Sequence, residues 1–213
     1  AVLDDRKAAS SSFFGRVAGA WDDLRTQLFG SSFTAPALLA LLPREWTVAD
    51  LGCGTGNAAE LLAGRVRKVI AVDASDVMLR AAKKRLANVR GVEFRQGPLE
   101  HLPLKDASVD AAVCVLVLHH LDEPENATRE MRRIVKPGGR VLVVDMFEHD
   151  RREYRHQMGH KHLGFSEARA KSMLERAGFV RVRVDALPAW PDSKGPSLYA
   201  ATGEAPGANH HHE

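Results

Sequence analysis

The stretch "TVADLGCGTGNAAELLA", residues 47–63, places three glycines, at positions 52, 54 and 56, between an apolar run and a helical pattern. The run "TVADL" is typical of a buried strand, and "NAAELLA" has the spacing of an amphipathic helix. Glycines permit positive φ angles and lack a Cβ, so a ligand can lie directly on the backbone where the helix begins. A glycine-rich turn can also serve only to make a tight bend. We interpret the stretch as the first strand and ligand-binding turn of an open α/β sheet.

Strand and helix patterns alternate along the rest of the chain. The predicted strands are "RKVIAVD", "VEFRQ", the continuous apolar run "SVDAAVCVLVL", and "RVLVVDMF" after the turn "PGG"; the predicted helices are "SDVMLRAAKKRLA", "EPENATREMRRIV" and "SEARAKSMLERAGF". Apolar strands separated by helices indicate a parallel sheet covered on both faces. "VRVRVDAL" and "SLYAAT" predict a closing antiparallel pair. The expected fold is α/β, a Rossmann-like doubly wound sheet of about seven strands, mostly parallel, with a C-terminal antiparallel strand.

The regions before and after this alternation differ from it in composition. Residues 1–45 have the pattern of short N-terminal helices, residues 46–203 carry the predicted sheet, and residues 204–213 are a polar tail rich in Gly, Pro and His. The formal net charge of +3 is too small to argue for nucleic acid by itself. No apolar run reaches the roughly 18 residues of a membrane span. The two cysteines, Cys53 and Cys114, lie in apolar or glycine-rich segments without a preceding signal sequence, so a cytoplasmic location is expected.

An acidic residue ends the second predicted strand. Asp73 follows Gly52 by 21 residues, which is the spacing at which a carboxylate accepts hydrogen bonds from a ribose diol. The alternative role, an acid at the start of the next helix, is less favoured because Ser75 can already cap that helix. A nucleoside-containing ligand is therefore expected on the glycine turn.

The pattern D-x-G-x-G-x-G, Asp50 to Gly56, resembles the first motif of class I S-adenosylmethionine-dependent methyltransferases. "VIAVDASDVML", "GPLEHLPLKDASVD" and "MRRIVKPGGRVLVVD" are similar to later motifs of the same family. The resemblance implies S-adenosylmethionine as cofactor and S-adenosylhomocysteine as its product. It implies that Gly52, Gly54 and Gly56 hold the methionine portion, that Asp73 holds the ribose, and that Asp50 orders the loop or contacts the ammonium end.

Further cofactor contacts follow from the same resemblance. Met78 is expected on the adenine face. The other expected cofactor-binding residues are Ala74, Gly97, Leu99 and Val115. One departure from the family pattern is Pro98, which stands where an acidic residue often reaches the adenine amino group. The N–H of Leu99 is then expected to donate to the ring. The N-terminal "SFFGRVAGAWDDLR" resembles a lid helix, with Trp21 covering the cofactor.

Candidate catalytic residues follow the fourth and fifth predicted strands. His119 and His120 come directly after the fourth strand, and Tyr154 and His160 lie in a His-rich segment after the fifth. Carboxyl ends of parallel strands share one edge of a sheet, so an acceptor pocket is expected between them, where a histidine could act as a base near its ordinary pKa of about 6.5. His156 and His160 are spaced as two ligands on a helix face would be, but without Cys or well-placed carboxylates no metal is expected.

The function that these features favour is in-line methyl transfer to a small-molecule acceptor, as in the ubiquinone and menaquinone biosynthesis group. The acceptor, the methylated atom and the oligomeric state are left open. A second hypothesis comes from a resemblance to the methyltransferase half of arsenic-repressor-type winged-helix fusion proteins, and it makes the chain a cofactor-sensing module whose DNA-binding domain lies elsewhere. A nicotinamide-dependent oxidoreductase is a third, because G-x-G-x-x-A can be read from Gly54 to Ala59.

Overall fold

The computed structural model describes residues 27–28, 34–189 and 193–207. The chain divides into two compact units, residues 1–41 and residues 42–213. In the first unit, the described part contains helix α1, Thr34–Leu38, which is followed by a 3-10 turn, Leu39–Leu41. The expected lid residue Trp21 lies outside the described residues.

The second unit contains seven strands and five α-helices within the part of the chain that is described. The strands are β1 Thr47–Leu51, β2 Lys68–Asp73, β3 Val92–Gln96, β4 Val109–Val115, β5 Val135–Met146, β6 Val180–Ala186 and β7 Leu198–Glu204. The helices are α2 Asn57–Leu62, α3 Asp76–Arg85, α4 Pro124–Ile134, α5 Glu153–Gln157 and α6 Glu167–Arg176. A 3-10 turn, Leu118–His120, follows β4.

The strands form a single sheet in the order β3-β2-β1-β4-β5-β7-β6. β1 pairs in parallel with β2 and with β4, while β7 runs antiparallel to β5 and to β6. The predicted fold class and the closing antiparallel strand are confirmed. The strand order reverses between β1 and β4, so the crevice for a ligand lies beyond the carboxyl ends of these two strands.

Both faces of the sheet are covered by helices. One core includes Met131 of α4 and Leu174 of α6, and the other includes Leu62 of α2 and Leu79 of α3. Alternate residues of β1 serve the two cores, since Val48 packs on one side and Ala49 on the other. This two-sided burial explains why the strands are continuous apolar runs in the sequence.

Local signals place the helix ends as expected. The Ser75 side chain accepts a hydrogen bond from the N–H of Met78, and the Ser166 side chain accepts one from Arg169, so both serines are N-caps. Gly178, with φ 96°, ends the turn after α6. Among the described residues, no helix has both the length and the apolar character that crossing a bilayer requires.

Two sequence expectations about element ends are wrong, and one spacing argument does not apply. β4 stops at Val115, because Leu116 has a φ of 58° and breaks the extended run that "SVDAAVCVLVL" predicts. The predicted turn before β5 lies within the strand, where Gly138 has a φ of 76°. α5 ends at Gln157, so His156 and His160 do not share a helix face.

Candidate functional site

The glycine turn after β1 is built from left-handed backbone. Gly52, Gly54 and Gly56 have φ values of 71°, 52° and 85°. The N–H groups of Gly52 and Cys53 both donate to the Val72 carbonyl, at 2.8 and 2.9 Å, which fixes the turn against the end of β2. Among the described residues, no atom outside the chain neighbours of Gly54 lies within 4 Å of where its Cβ would stand. The middle of the turn is therefore open backbone on which a ligand can lie.

Two carboxylates hold this turn in place. Buried Asp50 accepts the N–H of Ala59 in the first turn of α2, at 2.9 Å. Half-buried Asp73 accepts the N–H of Gly54 with one oxygen and that of Ser75 with the other, both at 2.8 Å. A carboxylate has about four acceptor positions, so Asp73 keeps room for a ribose diol. The residues present thus fit a nucleoside ligand.

Burial shifts the proton equilibria beside the turn. Loss of solvent raises the pKa of Asp50 to about 6, and the nearby carboxylate of Asp73 adds to this rise. The pKa of the Cys53 thiol rises to about 12, first because of burial and then because of Asp50 and Asp73. A positively charged ligand group placed here would favour the ionised form of Asp50.

The expected adenine side lies between β2 and β3. Ala74 and Met78 are exposed, and the Gln96 side-chain amide donates to the Ala74 carbonyl at 3.2 Å. The N–H of Gly97 donates to the Asp73 carbonyl at 3.1 Å. A Cβ on Gly97 would stand 2.7 Å from Pro103 Cδ, so glycine permits this close packing.

Segment 97–99 is further anchored by the buried side chain of Leu99. Ala74, Met78, Gly97 and Leu99 therefore lie along one edge, next to Asp73.

The exit of β4 adjoins the glycine turn. A Cβ on Gly52 would lie 2.5 Å from Cγ2 of Val117, so the two segments are in close contact because position 52 has no side chain. Leu116, between Val115 and Val117, adopts a positive φ of 58° and is exposed. A branched non-glycine residue in this conformation is strained, and such residues concentrate at functional sites.

Three histidine rings meet directly after this exit. The ring centroids of His119 and His120 are 4.1 Å apart, those of His119 and His160 are 4.3 Å apart, and those of His120 and His160 are 5.0 Å apart. We refer to His119, His120 and His160 as the histidine cluster. Its position agrees with the expectation that the fourth-strand exit and the His-rich segment share one edge.

Backbone hydrogen bonds attach the His-rich segment to the β4 exit. The N–H groups of Lys161 and His162 both donate to the carbonyl of His119, at 2.9 and 3.0 Å. The N–H of His160 donates to the Tyr154 carbonyl at 3.3 Å, and the two rings are 5.3 Å apart. The position of His160 is thus determined by main-chain contacts on both sides.

Asp145, near the end of β5, orients the cluster. Its carboxylate lies 2.7 Å from Nδ1 of His119 and 3.3 Å from the backbone N of the same residue. The N–H of Met146 donates to it as well, at 2.7 Å. Since both side chains are almost fully buried, the carboxylate holds Nδ1–H of His119 and leaves Nε2 as the free ring nitrogen.

The other two rings of the cluster are neutral at neutral pH. Burial, followed by the neighbouring rings of His119 and His120, lowers the pKa of His160 to about 4. Burial and then His119 also lower the pKa of His120. An inflection near pH 6.5 is therefore not expected from His160. Nδ1 of His160 is buried and makes no hydrogen bond to any described part of the chain.

A cavity of about 750 Å³ opens beside the cluster. Its polar lining comes mainly from His119, His120, Tyr154 and His160. Its other walls are largely apolar and comprise Leu116, Met146, Met158, Leu187, Pro188, Ala189, Pro196 and Leu198, with Ser193, Gly195 and Ser197 at the loop between β6 and β7. The volume suits a small molecule, and the imidazole and phenol groups of the lining lie close together.

Sequence reasoning missed several of these residues. Asp145 could have been identified from the sequence, because an acidic residue near the end of a buried parallel strand lies at the ligand-binding edge of the sheet. Nothing in the sequence identified Leu187 and Leu198 as cavity-lining residues, since no sequence pattern predicts the path of a loop between antiparallel strands. Leu116 was placed inside a strand and not at a cavity wall.

Comparisons with known proteins relate the central part of the chain to methyltransferases. Residues 49–143 match the family described as "Methyltransferase domain". The demethylmenaquinone methyltransferase of Clavibacter sepedonicus is 31% identical over 149 residues, which are 68% of this chain and 61% of that protein. The ubiquinone/menaquinone biosynthesis C-methyltransferase UbiE of Salmonella arizonae is 37% identical over 108 residues, 48% of this chain and 43% of that protein. The chain thus spans about half the length of these curated relatives.

Solved structures share the fold. The YcgJ protein from Bacillus subtilis superposes with a TM-score of 0.69 at 21% identity, over 82% of this chain and 99% of that one. The matched residues 49–143 include the glycine turn, Asp73 and the exit of β4, and the cofactor of this family is S-adenosylmethionine. Residues 49–143 therefore form a methyltransferase domain of the class I S-adenosylmethionine-dependent family, similar to that of the ubiquinone and menaquinone biosynthesis methyltransferases.

Proposed function

We propose that this chain transfers a methyl group from S-adenosylmethionine to a small-molecule acceptor bound in the cavity beside the histidine cluster. The cofactor site is the glycine turn with Asp50 and Asp73. The acceptor site is the cavity that the exit of β4 and the His-rich segment enclose.

The cofactor half of the proposal is supported by the geometry of the turn. The methionine portion lies over Gly52, Gly54 and Gly56, and the ribose hydroxyls use the two acceptor positions that remain on Asp73. The adenine lies along Ala74, Met78, Gly97 and Leu99, with Val115 at the strand exit. A bound S-adenosylmethionine supplies a methyl group on a sulfonium, which is already activated for displacement.

The acceptor half is supported by the lining of the cavity. A mostly apolar chamber whose imidazole and phenol groups lie close together suits a molecule with an apolar body and one polar end. The Clavibacter relative is named for demethylmenaquinone, so a quinol-type compound is the first acceptor class to test. Tyr154 and the histidine cluster then contact the polar end and orient it, and orientation supplies much of the acceleration in a displacement reaction.

One observation joins the two halves and carries the proposal. Gly52 of the cofactor turn packs directly on Val117, and the cavity begins at the adjacent Leu116. The open glycine backbone and the acceptor cavity are thus neighbours across a single stretch of chain. A methyl group on the turn can therefore be delivered at the cavity mouth without a long movement of either ligand.

The test is transfer of labelled methyl from S-adenosylmethionine to a panel of quinols, phenols and amines, with the products identified by mass spectrometry. We expect an amphipathic hydroxyl or ring-carbon acceptor to be methylated, and we expect Asp73→Ala to lower transfer by at least about tenfold at low cofactor concentration. A chain that binds S-adenosylmethionine tightly but methylates neither the panel nor a cell metabolite extract would contradict the proposal and favour a sensing role.

A further inference from the structure

We infer that the histidine cluster is a binding site for one divalent metal ion, with zinc as the preferred ion and His119, His120 and His160 as its three protein ligands. The sequence alone predicted no metal, because no Cys or well-placed carboxylate accompanies the His156 and His160 spacing. In the structure two of the ligands, His119 and His120, come from the β4 exit, and the fold brings His160 of the His-rich segment to the same place.

The ring nitrogens of the cluster lie near the separations that a metal ion requires of its ligands. One ring nitrogen from each of the three histidines lies within 4.8 Å of the others. Around a tetrahedral ion with Zn–N bonds of about 2.0 to 2.1 Å, ligand nitrogens stand about 3.4 Å apart. The rings would therefore draw together by up to about 1.4 Å, which side-chain rotations can supply without moving the backbone.

A carboxylate already stands behind one of the ligands. Asp145 holds Nδ1 of His119 at 2.7 Å, which leaves Nε2 of that ring available to a metal ion. Metal-binding histidines nearly always donate their second ring N–H to a carboxylate or carbonyl, because this fixes the ring and raises its basicity. The His119–Asp145 pair is the outer shell that a metal site needs.

The orphaned nitrogen of His160 is an independent observation. The residue is more than nine-tenths buried, and its Nδ1 has no hydrogen-bond partner among the residues described. Leaving a buried polar atom unpaired costs about 1 to 3 kcal/mol, so such atoms in native proteins are expected to have a partner that protein atoms do not supply. A metal ion bound by the cluster accounts for this histidine, whose two neighbours are also imidazoles and offer it no carboxylate.

Three protein ligands leave the fourth position of a tetrahedral ion open. All three histidines line the cavity, so this position faces the space proposed for the acceptor. An oxygen donor of the acceptor would bind there, and the ion would favour its ionised form. Only this last role rests on the proposed function; metal binding by the cluster does not.

The test must first exclude the tail of the chain, since His210, His211 and His212 can bind metal themselves. We would replace these three by Ala in every protein used. The full chain is then stripped with a chelator and titrated with Co²⁺, whose visible absorption reports tetrahedral nitrogen ligands, and Zn²⁺ is added to displace it. Bound metal is counted by elemental analysis.

Matched variants locate the site. His120→Gln and His160→Gln remove a ligand, while His156→Gln removes an exposed histidine of the same segment that is outside the cluster. We expect one tightly bound ion in the parent and in His156→Gln, and at least a 100-fold loss of affinity in each of the other two. Circular dichroism establishes that each variant is folded, and His120→Gln, at an exposed position, is the variant for which folding is safest.

Each result decides between the alternatives. One ion bound by the parent and lost with either cluster variant supports the site. Absence of tight binding in the parent, or equal binding by all variants, overturns it. Methyl transfer by a protein that binds no metal overturns the metal site alone, whereas metal binding without any affinity for S-adenosylmethionine leaves the site in place and removes the proposed function.

Discussion

The carboxylate of Asp73 accepts the backbone N–H of Gly54 at 2.8 Å. This bond joins the end of β2 to the middle of the glycine turn after β1. The second oxygen of the same carboxylate accepts the N–H of Ser75, the N-cap of α3. One side chain therefore holds both the turn and the next helix in position while still offering acceptor positions to a ligand.

Replacing Asp73 by Ala should lower affinity for S-adenosylmethionine by at least about tenfold, since a hydrogen bond to a charged group is worth about 1.5 to 3 kcal/mol. Isothermal calorimetry on the folded variant measures this. Asp73→Asn keeps one acceptor oxygen of the same shape and should retain more affinity than Ala. Equal binding by the parent and Asp73→Ala would show that the ribose lies elsewhere.

A methyl group added at Gly52 should destabilise the fold. Ala at a φ of 71° costs about 1 to 2 kcal/mol, and its Cβ would overlap Val117, which adds about 1 to 3 kcal/mol. Val117 cannot easily rotate away because its side chain branches at Cβ.

Gly64→Ala is the control for Gly52→Ala, because Gly64 has a φ of 77° but, in the part of the chain that the structure describes, no atom lies within 4 Å of the added group. Urea unfolding should show a larger loss of the free energy of unfolding for Gly52→Ala. Equal losses would mean that the contact with Val117 relaxes without cost.

The sheet could be predicted from the sequence because burial on both faces leaves a direct pattern. Runs such as "VIAV", residues 69–72, are apolar at every position, and Ser75 and Ser166 mark the starts of their helices by a local hydrogen bond. These signals depend on neighbours in the chain. They are therefore readable without knowledge of the fold.

The sequence predicted that the β4 exit and the His-rich segment share one edge of the sheet, but the end of β4 and the direct packing of the three histidine rings could not be predicted, because they depend on contacts between distant segments. Leu116 leaves the strand although its neighbours are apolar, and Val117 then packs on the glycine turn. His160 reaches His119 through the backbone bonds from Lys161 and His162 to the His119 carbonyl. Side-chain patterns carry no information about such main-chain bonds.

Cofactor affinity should depend on pH through Asp50. Its pKa is raised to about 6 in the folded chain without ligand. A cationic ligand on the turn favours the ionised carboxylate, so binding releases a proton below this pKa. Affinity for S-adenosylmethionine should rise as the pH increases toward about 6 and level off above it.

Asp50→Asn provides the comparison for the pH dependence, because the amide oxygen can still accept the N–H of Ala59. The affinity of Asp50→Asn for S-adenosylmethionine should be lower at pH 7.5 and should not change with pH through the same range.

The raised pKa of Asp50 also means that the ligand-free parent loses stability as the pH rises from about 4 to about 6, since the folded state holds the proton more tightly. Calorimetric titrations at several pH values, and urea unfolding alongside, would measure both effects. A parent curve without a pH dependence would remove Asp50 from contact with the cation.

His120→Gln should lower methyl transfer without lowering cofactor affinity. His120 lines the acceptor cavity, and its ring centroid is 4.1 Å from that of His119. The glycine turn contacts the β4 exit at Val117 instead, and it donates hydrogen bonds to Val72 and Asp73. Loss of a group that orients or activates the acceptor typically costs about 10²-fold or more in rate, and the loss should be seen in kcat because it acts on the reacting complex. Turnover with labelled S-adenosylmethionine gives kcat, calorimetry gives the cofactor affinity, and His156→Gln should match the parent in both. If His120→Gln loses cofactor affinity in proportion to its turnover, the histidine cluster belongs to the cofactor site and the acceptor binds elsewhere.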